Sequence, residues 1–414
     1  MSDASPGPDP HQDDPPAEAG ESPRAGLLSA RRARARKHHV LGWPFAGLIV
    51  LGVCGLVMVG VTTSRVGVLP ALIGALTGLL PVGIVFATIV WIDRWEPEPP
   101  LLMLGAFLWG VGGATASSLL FNHATERVTT ALLGPGDHSV PAVVVGPFFE
   151  EAAKALFVVA LWFRRRSEFN GLVDGIVYAG LTAAGFAYVE NILYFGKAFA
   201  QDGFGGMVLA LLVMRAVLTP FSHPLFSAMF GFGIGMASRT RPRAGRLAWA
   251  AGGFAVAVVL HAVWNYSANS TGARFVDMYF LIMVPVFAGM GWLVVWQRRR
   301  EQRIVVVQLP ALRREGLIDA DEVEWLASLG ERRGWKRHVR RAAGREAAKA
   351  VRDYQIAVTE LAFLQHRATR VRTTSAVRRA RRQRLVEELR EARRASAAGQ
   401  RVLRSRSAPS EPVE

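Results

Sequence analysis

The sequence predicts an all-α, polytopic helical membrane protein. It has about eight transmembrane helices, an extra interfacial or re-entrant helix on the outer side, and a cytoplasmic helical tail. Three observations carry this. Of the 414 residues, 51% are hydrophobic. They gather in repeated runs between positions 41 and 297, each near the roughly twenty residues that cross a bilayer as a helix. Charge concentrates elsewhere: of a formal net charge of +16, a balance of 29 Lys and Arg against 15 Asp and Glu falls after position 297. The 41 glycines suit the same class, because small residues let helices approach closely in lipid.

Residues 1–40 are rich in Pro, Asp, Glu, Gly and Ser and read as a disordered cytoplasmic segment. They lack the short basic start and following apolar stretch of a signal peptide. The stretch "RRARARKHH" at 31–39 stands directly before the first span and marks the cytoplasmic side. Spans follow at 41–62, 68–92, 101–122, 142–163, 174–195, 221–237, 247–267 and 278–297, which together make one transmembrane domain over 41–297. The apolar stretch 207–218 carries Arg215, stops at Pro220 and is short for a full crossing. If it does not cross, the charged segments after the second, fourth, sixth and eighth spans all share the side of the N-terminus. It therefore reads as the outer interfacial or re-entrant helix. Both termini are then cytoplasmic and the chain is a multi-pass protein of the cell membrane.

The basic tail, 298–400, contains "DADEVEWLASL", with an acidic start before spaced apolar residues, and "AAKAVRDYQIAVTELAFLQHRA", with apolar residues at helical spacing. A short helical hairpin or coiled-coil-like module is predicted, with a disordered end over 401–414. Positive charge on basic loops and tail attracts anionic lipid. No nucleic-acid-binding motif accompanies it, so nucleic acid is not an expected partner. Trp91 and Trp95 read as interfacial anchors. The single cysteine, Cys54, lies in the first apolar run and excludes an intramolecular disulfide.

Few ionisable residues lie well inside the spans. They are Glu150, Glu151 and Lys154 in the fourth, Glu190 in the fifth, His223 at the start of the sixth and His261 in the seventh, accompanied by Asn191 and Asn265. Such residues are functional-site candidates by default, because inserting one at a helix centre costs about 2.5–3.5 kcal/mol. With the topology above, all four sets fall in the outer half of the bilayer. Lys154 lies four and three residues after Glu150 and Glu151 and can reach either. The two glutamates are about 100° apart on a helix, so one faces a site while the other pairs with Lys154 or a neighbouring helix. His261 and Asn265 share a helix face. His223, between Pro220 and Pro224, sits at a helix start. A Glu–Lys pair alone can be structural glue, and a lone buried histidine is commonly a hydrogen-bonded core residue. Ser227, Gly231 and Gly235 form a small-residue stripe that reads as helix packing. Three carboxylates and two histidines from four helices at one depth are a costly way to glue a bundle.

Carboxylates and histidines in a shared pocket suit hydrolysis by activated water. In a metal reading His223, His261 and Glu190 hold Zn²⁺ and another glutamate is the base. In a metal-free reading a glutamate activates water, a histidine assists, and Asn265 or Asn191 stabilises the oxyanion. No HExxH, nucleophile elbow or phosphate-binding glycine loop is present.

At these residues the sequence resembles the PrsW-type intramembrane proteases, which are distantly similar to the CPBP group of CAAX-processing membrane proteases. The resemblance rests on "DRWEPEP" (93–99), "EEAAK" (150–154), "GFAYVEN" (185–191), "HPLFSAMFGFGIG" (223–235) and "HAVWN" (261–265), and spans roughly 81–297. It implies an endopeptidase whose site residues map onto Glu150 and Glu151, Glu190, His223, and His261 with Asn265. It also implies a membrane-protein substrate; single-pass regulators such as anti-sigma factors are the class linked to the family. The same intramembrane carboxylates would serve a proton-coupled transporter or channel, but that reading expects repeated halves and a midplane site, and the sequence shows no internal repeat. A membrane scaffold with a degenerate site is the third reading.

Overall fold

The computed structural model describes residues 47–134, 141–164, 169, 171–268, 272–370 and 375–407. The segment expected to be disordered over 1–40, its basic stretch at 31–39, Arg165, Arg166 and the Ser/Pro end after position 407 lie outside the described residues. Among the described residues there is no strand.

Helix α1 covers Gly47–Val66 and α2 covers Val68–Ile92. Gly67 alone separates them, at φ 92°, a left-handed value that ends one helix and starts the next within a single residue. Helix α3, Pro100–Leu132, begins with proline in its first turn and contains a π-helical turn at Gly110–Ala114. Helix α4, Gly146–Arg164, follows a π-helical turn at Pro141–Val145. Helix α5 covers Leu172–Asp202. Helix α6, Gly206–Leu212, runs into a π-helical turn at Val213–Leu218, and the chain leaves helical geometry at Thr219 before α7, Ser222–Arg239. Helix α8 covers Arg243–Ala268 and α9 covers Arg274–Arg314.

Seven helices among the described residues are long and apolar enough to cross a membrane, with Gly206–Arg239 counted as one. Helix α4, the fourth of the eight crossings read from the sequence, is the one that does not qualify. Its position is as expected, but Glu150, Glu151 and Lys154 lower its apolar character.

Helix α5 is the hub. Of its most apolar stretch 89% is buried, against 39% or less for the other candidate spans. It packs on α2, α3 and α7. Gly175 of α5 faces Gly231 of α7 so closely that a Cβ on either would collide with the other's carbonyl oxygen. Backbones in that contact hold the two helices, and whatever they carry, at a fixed separation.

The tail is more than a hairpin. Helix α9 passes position 298 without a break and contributes Ile304, Val305, Leu309 and Leu312 to a separate apolar core. Helices α10 (Ala320–Ala327), α11 (Leu329–Arg370, broken at Gly344), α12 (Ser375–Ala395) and α13 (Ala397–Ser407) close around it with Trp335, Tyr354, Val358 and Leu389. Residues 401–407, expected to be disordered, are thus helical. Trp95 enters the same core and is only 3% exposed, so it is a docking residue and not an interfacial anchor. Its loop is braced from within: Asp93 Oδ2 accepts the Glu98 backbone N–H at 2.9 Å, and the Tyr178 hydroxyl donates to Glu98 Oε2 at 2.7 Å. Burial pushes the Asp93 carboxyl up to about 7, and burial and nearby Asp174 push Glu98 up to about 10.

Candidate active site

The eight residues singled out in the sequence converge. Helix α4 supplies Glu150, Glu151 and Lys154, α5 supplies Glu190 and Asn191, α7 supplies His223, and α8 supplies His261 and Asn265. The reason is helical register. Glu150 and Lys154 share one face of α4, His261 and Asn265 one face of α8, and His223 stands in the first turn of α7, placed there by the break around Pro220.

The two adjacent glutamates take different parts. Glu151 is buried and fully engaged. Oε1 accepts from Lys154 Nζ at 2.9 Å and lies 3.0 Å from His261 Nδ1, and Oε2 accepts from the Ser227 hydroxyl at 2.6 Å. Glu150 faces a cavity of about 620 Å³. Its Oε2 lies 3.6 Å from His261 Nε2 and 3.8 Å from Lys154 Nζ, and is buried with no hydrogen-bond partner. Lys154 also lies over the Phe186 ring, 4.0 Å from its centroid, and 3.4 Å from His223 Nδ1.

Glu190, Asn191, His223, His261 and Asn265 line the same cavity. Glu190 Oε2 lies 2.9 Å from His223 Nε2 and accepts from Arg215 Nη1 at 3.0 Å. The same Arg215 nitrogen donates to Asn191 Oδ1 at 2.6 Å, and its guanidinium lies 3.9 Å from the Tyr194 ring centroid. The imidazoles of His223 and His261 stand edge to face, 5.0 Å between centroids.

Among the described residues one group of three can offer ligand atoms within 4.8 Å of one another: Glu150, His223 and His261. The two histidines are those expected from the sequence. The glutamate is Glu150 in place of Glu190, because Glu190 Oε2 already bridges Arg215 and His223 Nε2 while Glu150 Oε2 has no donor. Two imidazoles and a carboxylate are a donor set that suits Zn²⁺. The orphaned Glu150 oxygen is a further sign of fit, since a buried carboxylate oxygen without a partner is costly.

Sequence reasoning missed three residues. Arg215 was noticed only as an argument against a full crossing, although a lone arginine in an apolar stretch is itself a signal. Ser227 belongs to the small-residue stripe, yet its hydroxyl is spent on Glu151. Phe226, stacked 5.2 Å from His261, carries no signal that sets it apart from other core phenylalanines.

Comparison with known proteins bears on the family. The sequence profile described as "PrsW family intramembrane metalloprotease" matches residues 98–290, a segment that contains all eight residues. The chain is 30% identical over 174 residues to Protease PrsW of Geobacillus kaustophilus (strain HTA426), covering 42% of this chain and 70% of that protein. It is 24% identical over 218 residues to Protease PrsW of Bacillus subtilis (strain 168), covering 52% of this chain and 90% of that one. The Clostridioides difficile (strain 630) Protease PrsW is 28% identical over 145 residues, covering 34% of this chain and 58% of the relative. No solved structure matches the chain. These relatives favour the peptidase over the transporter and the scaffold: the chain belongs to the PrsW family of intramembrane proteases and is a multi-pass membrane peptidase.

Proposed function

We propose that the chain is a zinc-type endopeptidase that cuts a membrane-associated protein at the cavity between α4, α5, α7 and α8. Glu150, His223 and His261 are the residues that would hold the ion. The observation that carries this reading is the approach of their ligand atoms to within 4.8 Å beside an orphaned carboxylate oxygen. When bound, Zn²⁺ supplies Lewis acidity toward the scissile carbonyl and toward water.

The chain's own groups do the rest. Glu151, bonded to His261 Nδ1, fixes the tautomer and leaves His261 Nε2 facing Glu150. Lys154 and Ser227 hold Glu151 in place. Glu190 is the acid–base group. Arg215 and His223 anchor its Oε2, and Oε1 has no hydrogen-bond partner among the described residues, so it is placed to take a proton from attacking water and return it to the leaving amide nitrogen. Arg215, Asn191 and Asn265 offer donors toward a developing oxyanion. The basic segments on alternate connections support a site near the outer face, with both termini cytoplasmic. The family resemblance supports a single-pass regulator, such as an anti-sigma factor, as substrate.

The test is Glu150→Gln, His223→Ala and His261→Ala in the purified full chain, with metal content and cleavage of a single-pass substrate measured together. Wild type should hold about one Zn²⁺ per chain. Each variant should lose both metal and activity, and a chelator should abolish cleavage reversibly. Full activity in metal-free wild type would overturn the ligand assignment, and Glu150 would then be the water-activating base.

A further inference from the structure

A second cavity, of about 340 Å³, opens where α2 and α9 meet the tail. Four arginines line it: Arg94 just after α2, Arg298 and Arg299 of α9, and Arg333 of α11. No carboxylate lines it, and among the described residues none of the four is in an ion pair. Arg298 lies over the Trp91 ring, 3.9 Å from its centroid, and its Nη1 is buried with no hydrogen-bond partner. Glu301 is the acidic group that acts on Arg298, and its Oε1 accepts from Gln297. The Lys336 ammonium is held below its ordinary value by burial and by Arg352, Arg333, Arg94 and Arg332.

Four guanidinium groups from three stretches of chain, gathered around a cavity that no carboxylate lines, repel one another. Such a gathering costs free energy unless an anion joins it. Guanidinium forks match the oxygens of a phosphate, in pairs of parallel hydrogen bonds. The apolar flank of the cavity points to the source of that phosphate. Trp91 and Val295 line it and are 40% and 38% exposed, and the stacked Trp292 and Trp296 continue the exposed surface along α9. Indole rings beside a basic pocket, at the point where membrane helices meet a polar domain, match the depth of lipid headgroups.

We propose that this pocket binds the phosphate headgroup of an anionic phospholipid, with the acyl chains lying along α2 and α9 past Trp91 and Val295. The site is distinct from the peptidase cavity and does not depend on the proposed chemistry. Bound lipid would clamp three stretches of chain together and so fix the tail on the membrane domain.

The test uses the full chain in neutral detergent, with saturable binding of phosphatidylglycerol, phosphatidylcholine and inorganic phosphate measured separately. Wild type should bind phosphatidylglycerol at least tenfold more tightly than phosphatidylcholine, with inorganic phosphate a weak competitor. The variant Arg298→Gln/Arg333→Gln should weaken phosphatidylglycerol at least tenfold. A second variant, Arg94→Gln/Arg299→Gln, changes exposed side chains that the fold does not need and should also weaken it severalfold. Arg241→Gln/Arg243→Gln, where the chain passes from α7 into α8, should have no effect. Unchanged phosphatidylglycerol binding in the second variant would overturn the proposal. So would equal binding of the two lipids, or inorganic phosphate that binds as tightly as the lipid, which would make the pocket a site for free phosphate.

Discussion

Glu151 and His261 are joined across α4 and α8 by a 3.0 Å contact between Oε1 and Nδ1, and this contact ties the buried Glu151–Lys154 pair to a histidine of the proposed metal site. Removing Glu151 should have two separable effects. Glu151→Ala leaves Lys154 without its nearest carboxylate, and breaking a buried pair from one side costs about 3–5 kcal/mol. Glu151→Leu with Lys154→Met should recover most of that stability in a thermal melt and recover no activity. Glu151→Gln keeps the shape and should weaken zinc affinity about 10–100-fold, the usual effect of losing a carboxylate behind a histidine ligand.

Arg215 bridges Glu190 and Asn191 without belonging to the proposed ligand set. Arg215→Gln should therefore lower kcat by about 10²–10³, the range seen when a donor aimed at developing charge is lost. Metal content should stay at the wild-type level. Arg215→Lys should recover part of kcat, because it keeps the charge while losing the guanidinium plane stacked on Tyr194. Loss of zinc in Arg215→Gln would show that the arginine supports the ligands and not the reaction.

The loop between α2 and α3 should make stability depend on pH. Burial raises the Asp93 carboxyl from 3.8 to about 7, so the folded state holds a proton that the unfolded chain releases. That contribution is fully present below pH 3.8 and is lost as pH rises toward 7. Asp93→Asn keeps an acceptor for the Glu98 N–H and removes the titration. Melts of the full chain at several pH values should fall less steeply for Asp93→Asn than for wild type between about pH 4 and 7.

At Gly231 the neighbouring helix leaves no room for a side chain, whereas at Gly252 nothing lies within 4 Å of an added Cβ. Gly231→Ala should destabilise by about 1–3 kcal/mol through overpacking. It should also reduce activity, since α5 and α7 carry Glu190 and His223. Gly252→Ala should be neutral or slightly stabilising. Equal melting temperatures for the two variants would contradict the close contact of α5 and α7.

The membrane part of the fold was legible because the bilayer makes apolar length a direct signal, and the site was legible because intramembrane charge is rare. Glu150, Glu190, His223 and His261 stand out for that reason alone. The division of labour between Glu150 and Glu151 was not legible. Helical spacing says that they diverge, but Ser227 and His261, on other helices, decide which one turns to the cavity. The same limit explains Glu190, which would be an available ligand if Arg215 were not folded over it. Trp95 was misread for the opposite reason. A tryptophan next to a span is a familiar anchor, and nothing local announces that its partners lie in the tail.

Those partners set an order of assembly. Trp95 leaves the ribosome early, whereas the other buried residues of its core begin at Ile304 and extend to Leu403. The segment joining α2 to α3 therefore waits, with an uncovered indole ring, until the tail helices have been made. Closure of so distant a contact is slow compared with the formation of neighbouring helices. The peptidase half of the molecule thus reaches its final form only after the tail has been made, and a chain cut before α10 would be left with that loop unsealed.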